Sequence, residues 1–295
     1  MKSGFVTIAG RPNTGKSTLL NSILERKIAI TSNVSGTTRN IIEGIYNDDD
    51  SQIVFVDTPG IHKPVNKLGS YMNNKAYEML NSVDVILFTM DVTKPFGKGD
   101  SLVLDKIKEE NKPVFLILNK VDLIDKNKLF EIIAKYNELY DFKEIFPISA
   151  LKGDNVDKLI ESIKKYLNDG DRYFPEDDVT NVSLKFQIGE LVREKLLWLT
   201  KEEVPHTVTC YTETYEDMGK YIDIGVVVVV DRENLKKIII GKNGSMLKKV
   251  GIYARKDIEE LVGKQVNLKT YVKVIESWRE KEKFLRELGF DEINE

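Results

Sequence analysis

The feature that most restricts this chain lies near its start. An apolar run, Phe5–Gly10, opens into Gly10-Arg11-Pro12-Asn13-Thr14-Gly15-Lys16-Ser17, and a helical pattern, Lys16–Leu24, follows at once. The spacing G-x-x-x-x-G-K-S/T, set between a strand and a helix, is one that a chance strand–turn–helix joint rarely meets in full. Small residues let backbone N–H groups curl round an anion at a helix N-terminus. Lys16 can bridge the outer phosphates of a nucleoside triphosphate, and the Ser17 hydroxyl can ligate Mg²⁺.

The first half of the chain supplies the sheet such a loop needs. Ile53–Asp57, Val83–Asp91, Val114–Asn119 and Glu144–Ser149 are further apolar runs, separated by charged helical stretches such as Ser101–Glu110 and Val156–Leu167. This alternation predicts a three-layer α/β domain, a mostly parallel sheet with helices on both faces. Ligands of such sheets bind beyond the carboxyl ends of the strands, so chemistry is expected there.

Those strand ends choose the base. Asp57-Thr58-Pro59-Gly60 and Ile61 follow one buried strand, which puts Asp57 near the metal and the Gly60 N–H near the γ-phosphate. Asn119-Lys120-Val121-Asp122 follows another, and the Asp122 carboxylate can accept from guanine N1–H and the exocyclic amine. Adenine would leave those acceptors unpaired, a discrimination of ~10⁴-fold. Ser149-Ala150-Leu151 ends a third strand, and the Ala150 N–H can donate to guanine O6. Individually these motifs are weak; four in order at predicted strand ends specify GTP and GDP with Mg²⁺.

The polar segment Gly36-Thr37-Thr38-Arg39 is the candidate γ-phosphate sensor, a threonine hydroxyl completing the Mg²⁺ shell. Thr38 is favoured over Thr37, although spacing does not settle it. The expected catalytic set is Lys16, Thr38, Gly60 and Asn13. Where Ras-like GTPases place a water-orienting glutamine, this chain has Ile61, so slow intrinsic hydrolysis is expected. The neighbouring His62 reads as a mobile surface residue. The Asn13 amide oxygen is instead the candidate holder of a potassium ion against the phosphates.

Composition bounds the rest. The 295 residues suffice for two domains, with 41% hydrophobic and 31% charged residues, as in soluble globular chains. Cys210 is the only cysteine, so no intrachain disulfide forms and a reducing, cytoplasmic setting is expected. No signal-peptide core and no apolar run near the ~20 residues of a membrane-spanning helix is present. The net charge of −3 hides an asymmetry: Arg232–Lys273 carries eleven Lys or Arg against four Asp or Glu.

The second half has a different order. Residues 1–170 read as the nucleotide-binding domain, the acidic stretch 171–180 as a linker, 181–275 as a second domain, and 276–295 as a helical tail, docked or free. A helix around Asn181–Leu199, strands near Thr207–Tyr215 and Tyr221–Val230 forming a hairpin, a short helix, the turn Gly241-Lys242-Asn243-Gly244, the helix Ser245–Val262 and the strand Gln265–Val274 are expected. Two glycines flanking a basic, polar pair let a backbone pass close to a sugar-phosphate chain. That order, with the turn, is the α+β type II KH topology, whose groove holds about four unpaired nucleotides of RNA. Ile240, Gly241, Lys242, Asn243, Gly244, Lys248, Lys249, Arg255 and Lys256 are the expected RNA contacts; no DNA is expected. Trp198 and Trp278 read as core or interface residues.

GRPNTGKS, GTTR, DTPGIHKP, NKVD and SAL, followed by a KH unit containing IIGKNG and GIYARKDIE, together resemble the Era family of bacterial GTPases over essentially the whole chain. The resemblance implies GTP hydrolysis, binding to the 3′ region of 16S ribosomal RNA, assistance to 30S subunit maturation, and peripheral contact with the cytoplasmic membrane. Members of that family also lack the glutamine, so Ile61 is expected. Two rival readings stay open: an assembly scaffold in which GTP is structural, and a GTPase acting on tRNA or a modifying enzyme.

Overall fold

The computed structural model describes residues 1–290, and the chain divides into two compact units. The first comprises Met1–Ala29, Thr38–Val65 and Gly69–Asn181; the second comprises Ile30–Thr37, Asn66–Leu68 and the described residues from 182 to 290.

In the first unit the order is β1 (Lys2–Ala9), α1 (Lys16–Ile23), β2 (Ile42–Asn47), β3 (Ser51–Asp57), α2 (Lys67–Ser82), β4 (Val85–Asp91), α3 (Lys98–Lys108), β5 (Val114–Asn119), α4 (Lys126–Asn137), β6 (Glu144–Ile148), α5 (Val156–Lys164) and β7 (Asn168–Asp169). The sheet runs β2-β3-β1-β4-β5-β6, with β2 antiparallel to β3, the short β7 antiparallel to β1, and the other pairs parallel. β3, β4 and β5 are buried at every position, so they read as unbroken apolar runs and not as alternations.

The expected strands are all present. β2, β7, α2 and α4 have no counterpart in the sequence reading. β2 is short and interrupted by Gly44, and α4 fully buries only Tyr136.

The segment 171–180, expected to be a linker, is instead fastened to the first unit. The Ile45 N–H donates to the Val179 carbonyl at 2.8 Å, the Thr180 hydroxyl to the Glu43 carbonyl at 2.6 Å, and the Tyr173 N–H to Gln52 Oε1 at 2.7 Å. Buried Gln52 thus spends its amide on a passing strap that sequence polarity alone describes as free.

In the second unit, α6 (Leu184–Leu199) leads through α7 (Val204–Thr207) to β8 (Thr209–Asp217), β9 (Ile222–Val230), α8 (Glu233–Ile240), α9 (Ser245–Val262), β10 (Val266–Val274) and α10 (Glu282–Glu287). Ser183 caps α6, its hydroxyl accepting from the Phe186 N–H at 3.2 Å. Gly263, at φ 66°, ends α9 in the left-handed conformation that glycine adopts without penalty. β8 and β9 form the expected hairpin, and β10 joins β9 in parallel as an edge strand.

The core joins Ile188, Val192 and Leu196 of α6 to Ile224, Val226 and Val228 of β9 and to Val250, Ala254 and Ile258 of α9. Trp278 is fully buried and its indole N–H donates to the Thr207 carbonyl at 2.7 Å, which anchors the start of the tail. Residues 291–295 of the expected tail lie outside the described residues. Trp198, by contrast, is about half exposed.

Candidate functional site

The phosphate loop sits between β1 and α1. Gly15 takes φ 94°, and a Cβ on Gly10 would lie 2.5 Å from the Thr89 carbonyl oxygen, so both positions demand glycine. Lys16 is buried, its ammonium donating to the Gly10 and Arg11 carbonyls at 3.3 Å. Burial pulls its pKa down to about 8, against the opposing pull of Asp57 and with a smaller push from Arg11. Arg11 is itself held by Asp100 of α3 at 2.9 Å, an anchor no motif announced. Asn13 is exposed, at φ 66°, and its carbonyl accepts from Lys120 Nζ at 2.9 Å.

The three expected metal ligands converge. Ser17 Oγ donates to Asp57 Oδ2 at 2.6 Å and lies 2.7 Å from Thr38 Oγ1, which is 3.4 Å from the same carboxylate oxygen. Burial raises Asp57 to about 6, opposed by Lys16 and by the hydroxyls of Ser17 and Thr38. Asp57 Oδ1 is buried with no partner. Two hydroxyls and a carboxylate, one of whose oxygens is left without a partner, form the hard oxygen set that Mg²⁺ takes.

Thr37 points elsewhere: its hydroxyl donates to the Val34 carbonyl at 2.7 Å and meets Ser32 Oγ at 2.6 Å. Geometry therefore separates two threonines that spacing could not.

Thr58, Pro59 and Gly60 are buried at the end of β3, Thr58 Oγ1 donating to the Ile8 carbonyl at 3.0 Å. A Cβ on Gly60 would come within 2.7 Å of Pro12 N, so this loop and the phosphate loop touch backbone to backbone. Ile61 turns inward, fully buried in the core with Ala9, Ala76 and Leu80. The Ile61 side chain is committed to packing in this core.

His62, expected to be mobile, is clamped: its Nδ1 lies 2.7 Å from the Gly60 carbonyl, its N–H donates to Asn73 Oδ1 at 3.3 Å, and its carbonyl accepts from Asn73 Nδ2. Asn73, on a helix the sequence reading lacked, carried no signal.

The base-recognition motifs lock into one another. Asn119 donates to the Thr14 carbonyl at 2.8 Å, tying the phosphate loop to the end of β5. Lys120, at φ 69°, reaches Asp91 Oδ2 at 2.7 Å. The Ser149 hydroxyl donates to Asp122 Oδ1 at 2.7 Å, which fixes the carboxylate expected to read guanine. The Ala150 N–H, expected to donate to guanine O6, donates here to Asn119 Oδ1 at 3.0 Å. Val121 packs partly against the core, whereas Leu151 is exposed.

In the second unit, Gly241 at φ 72° and Gly244 at φ 76° bracket exposed Lys242 and Asn243, and Ile240 is half-buried. A groove of about 310 Å³ runs between α9 and β10, lined by Gly244, Lys248, Arg255 and Leu268 among others. Lys249 and Lys256 do not line it. Lys249 Nζ sits 5.8 Å from the Tyr253 ring centre, and Lys256 borders a separate depression beside Trp198. Positions 248, 251 and 255 share one helical face and 249, 253 and 256 another, so the basic set is split by the 3.6-residue period. Asn267 and Leu268 of β10 were missed, since nothing in a strand's sequence marks which edge borders a groove.

The 50S ribosome-binding GTPase family model matches residues 5–120, and the KH domain model matches residues 203–279. The chain is 48% identical over 290 residues to the GTPase Era of Lacticaseibacillus paracasei, covering 98% of this chain and 97% of that protein. The chain belongs to the Era family of GTPases.

Two solved structures agree with this Era-family membership. A variant of Aquifex aeolicus Era bound to GDP·AlF₄⁻ matches with a TM-score of 0.95 and 41% identity, over 98% of this chain and 99% of its own. Era in complex with MgGDPNP and nucleotides 1506–1542 of 16S ribosomal RNA matches equally, with the same values. This Era-family chain is thus a GTPase, a P-loop α/β domain followed by a KH domain.

Proposed function

We propose that this chain is a GTP-driven RNA switch of 30S subunit assembly, acting in the cytoplasm on the 3′ region of 16S ribosomal RNA. The loop amides and Lys16 hold the phosphates of GTP, Asp122 and Ala150 read the guanine, and Ser17, Thr38 and Asp57 hold Mg²⁺. When bound there, Mg²⁺ would supply charge neutralisation at the outer phosphates; the chain's loop amides and Lys16 orient them, with Asn13 the holder of a potassium ion. That role for Asn13 predicts faster turnover in potassium than in sodium buffer; equal rates sink it.

The α9–β10 groove and the 241–244 turn take single-stranded RNA. The membrane contact implied by the resemblance is not part of this reading.

The observation that carries the switch is where residues 30–37 belong. They sit in the second unit, held by α6: the Thr31 N–H donates to Glu194 Oε1 at 3.0 Å, Trp198 Nε1 to the Thr31 carbonyl at 2.9 Å, and Arg193 Nη2 to the Thr37 carbonyl. That last carbonyl belongs to the peptide whose nitrogen is Thr38, the residue set to sense the third phosphate. Titration of labelled 1506–1542 RNA should therefore give tighter binding with a non-hydrolysable GTP analogue than with GDP. Equal affinities would refute the coupling. Acceleration of GTP hydrolysis by the same RNA excludes the scaffold reading, in which turnover is incidental.

A further inference from the structure

Two glycines interrupt helices of the second unit, and packing accounts for one. Gly189 of α6 lies against β8, where a Cβ would come within 3.2 Å of the Cys210 carbonyl oxygen and of Tyr211 Cα. Gly251 stands in the middle of α9, without positive φ, and a Cβ there would meet nothing within 4 Å. A glycine inside a helix is about 1 kcal/mol worse than alanine, because it frees the unfolded backbone and adds no contact. Neither conformation nor close packing among the described residues requires this one.

Its position does have a distinguishing property: Gly251 lines the α9–β10 groove, between Leu247 and Lys248 on one side and Arg255 on the other, facing Leu268 of β10. β10 is an edge strand, so its outer backbone N–H and C=O groups are not spent on a neighbouring strand.

We propose that Gly251 is the seat of one RNA base. The absent side chain lets the flat face of a base lie directly on the α9 backbone between the leucines. The base's polar edge then meets the free edge of β10, and the flanking phosphates meet Lys248 and Arg255. The helix gives up stability at this position to keep a base-thick gap open, so Gly251 is a specificity-determining residue for single-stranded RNA. This rests on the reading of the groove as the RNA site.

The full chain with Gly251→Ala and Gly251→Leu tests it, since alanine and leucine are both good helix formers. Thermal unfolding should move up by a few degrees for Gly251→Ala. Affinity for labelled 1506–1542 RNA should fall about tenfold with alanine and about a hundredfold with leucine, two increments of ~1.4 kcal/mol each. Stability and binding thus move in opposite directions, which a misfolded variant cannot imitate.

Unchanged RNA affinity in Gly251→Leu overturns the proposal, and so does a fall in stability with alanine. Lys242→Ala and Arg255→Ala separate the underlying reading. If they weaken binding while Gly251→Leu does not, only the base seat is wrong; if none of the variants weakens it, the RNA does not use the groove and both fall.

Discussion

Asp122 is aimed by a neighbour's hydroxyl. Ser149 Oγ donates to one of its carboxylate oxygens, and under the proposed reading of guanine that bond keeps the carboxylate from rotating away from the two base donors it would meet together. A hydrogen bond to a charged group contributes ~1.5–3 kcal/mol when its partner is lost. Ser149→Ala should accordingly weaken GTP and GDP binding by about tenfold and also lower the stability of the nucleotide-free chain, by about 1–2 kcal/mol, since Ser149 is buried and its bond is already made there. Isothermal titration with each nucleotide checks this. Wild-type affinity in the alanine variant would mean that Asp122 is held by the loop backbone alone. The same residue shows why a motif gives less than a site: S-A-L names Ser149 without saying that its job is to orient a residue 27 positions earlier.

At the scale of elements, Asp91 closes β4. Its Oδ2 takes Lys120 Nζ at 2.7 Å, and its Oδ1 takes the Thr93 N–H and hydroxyl at 2.9 and 2.6 Å. Burial alone would push this carboxyl up, but the bonds from Lys120 and Thr93 outweigh it and hold the pKa below the usual carboxylate value. A depressed folded-state pKa gives stability that is present above the unfolded value, about 4, and lost as pH falls through the folded value. Asp91→Asn should cost about 2 kcal/mol at pH 7, and the gap from wild type should close below pH 4; urea unfolding at both pH values measures it. A gap independent of pH would leave the Lys120 pair without a role in stability.

Elements of this kind were the most legible part of the chain, because parallel strands buried on both faces write themselves as apolar runs. β2 and the 171–180 strap were not legible. The strap is held by hydrogen bonds to Gln52, Glu43 and Ile45, and β2 by its antiparallel pairing with β3, and partner choice leaves no periodicity in a sequence. The split of the basic residues on α9 was hidden for a related reason. Charge counting ignores which face of the helix each residue occupies.

At the scale of the whole molecule, the single linker expected from sequence gives way to a chain that passes between its units at residues 29–30, 37–38, 65–66, 68–69 and 181–182. Residues 30–37 and 66–68 carry sequence that reads as part of the first domain, yet their contacts are those of the second. A nucleotide can bias the RNA site only through a difference in interaction between two states, and any such bias is reciprocal. RNA must then favour GTP over GDP by the same factor by which GTP favours RNA.

The α6 bonds to residues 30–37 are where that factor can be altered without touching either ligand. Arg193 is fully buried and bonded to Glu190, so removing it would strand a charge and confound folding with coupling. Trp198 is the better probe: it is half exposed, and phenylalanine keeps a ring beneath Lys195 while deleting the indole bond to the Thr31 carbonyl. One such bond contributes ~0.5–1.5 kcal/mol. Trp198→Phe should therefore shrink the ratio of RNA affinities in the two nucleotide states by two- to tenfold, and the RNA effect on nucleotide affinity by the same factor. If either ratio moved without the other, a cause outside the shared equilibrium would be at work. If neither moved, residues 30–37 would be held by α6 for stability alone.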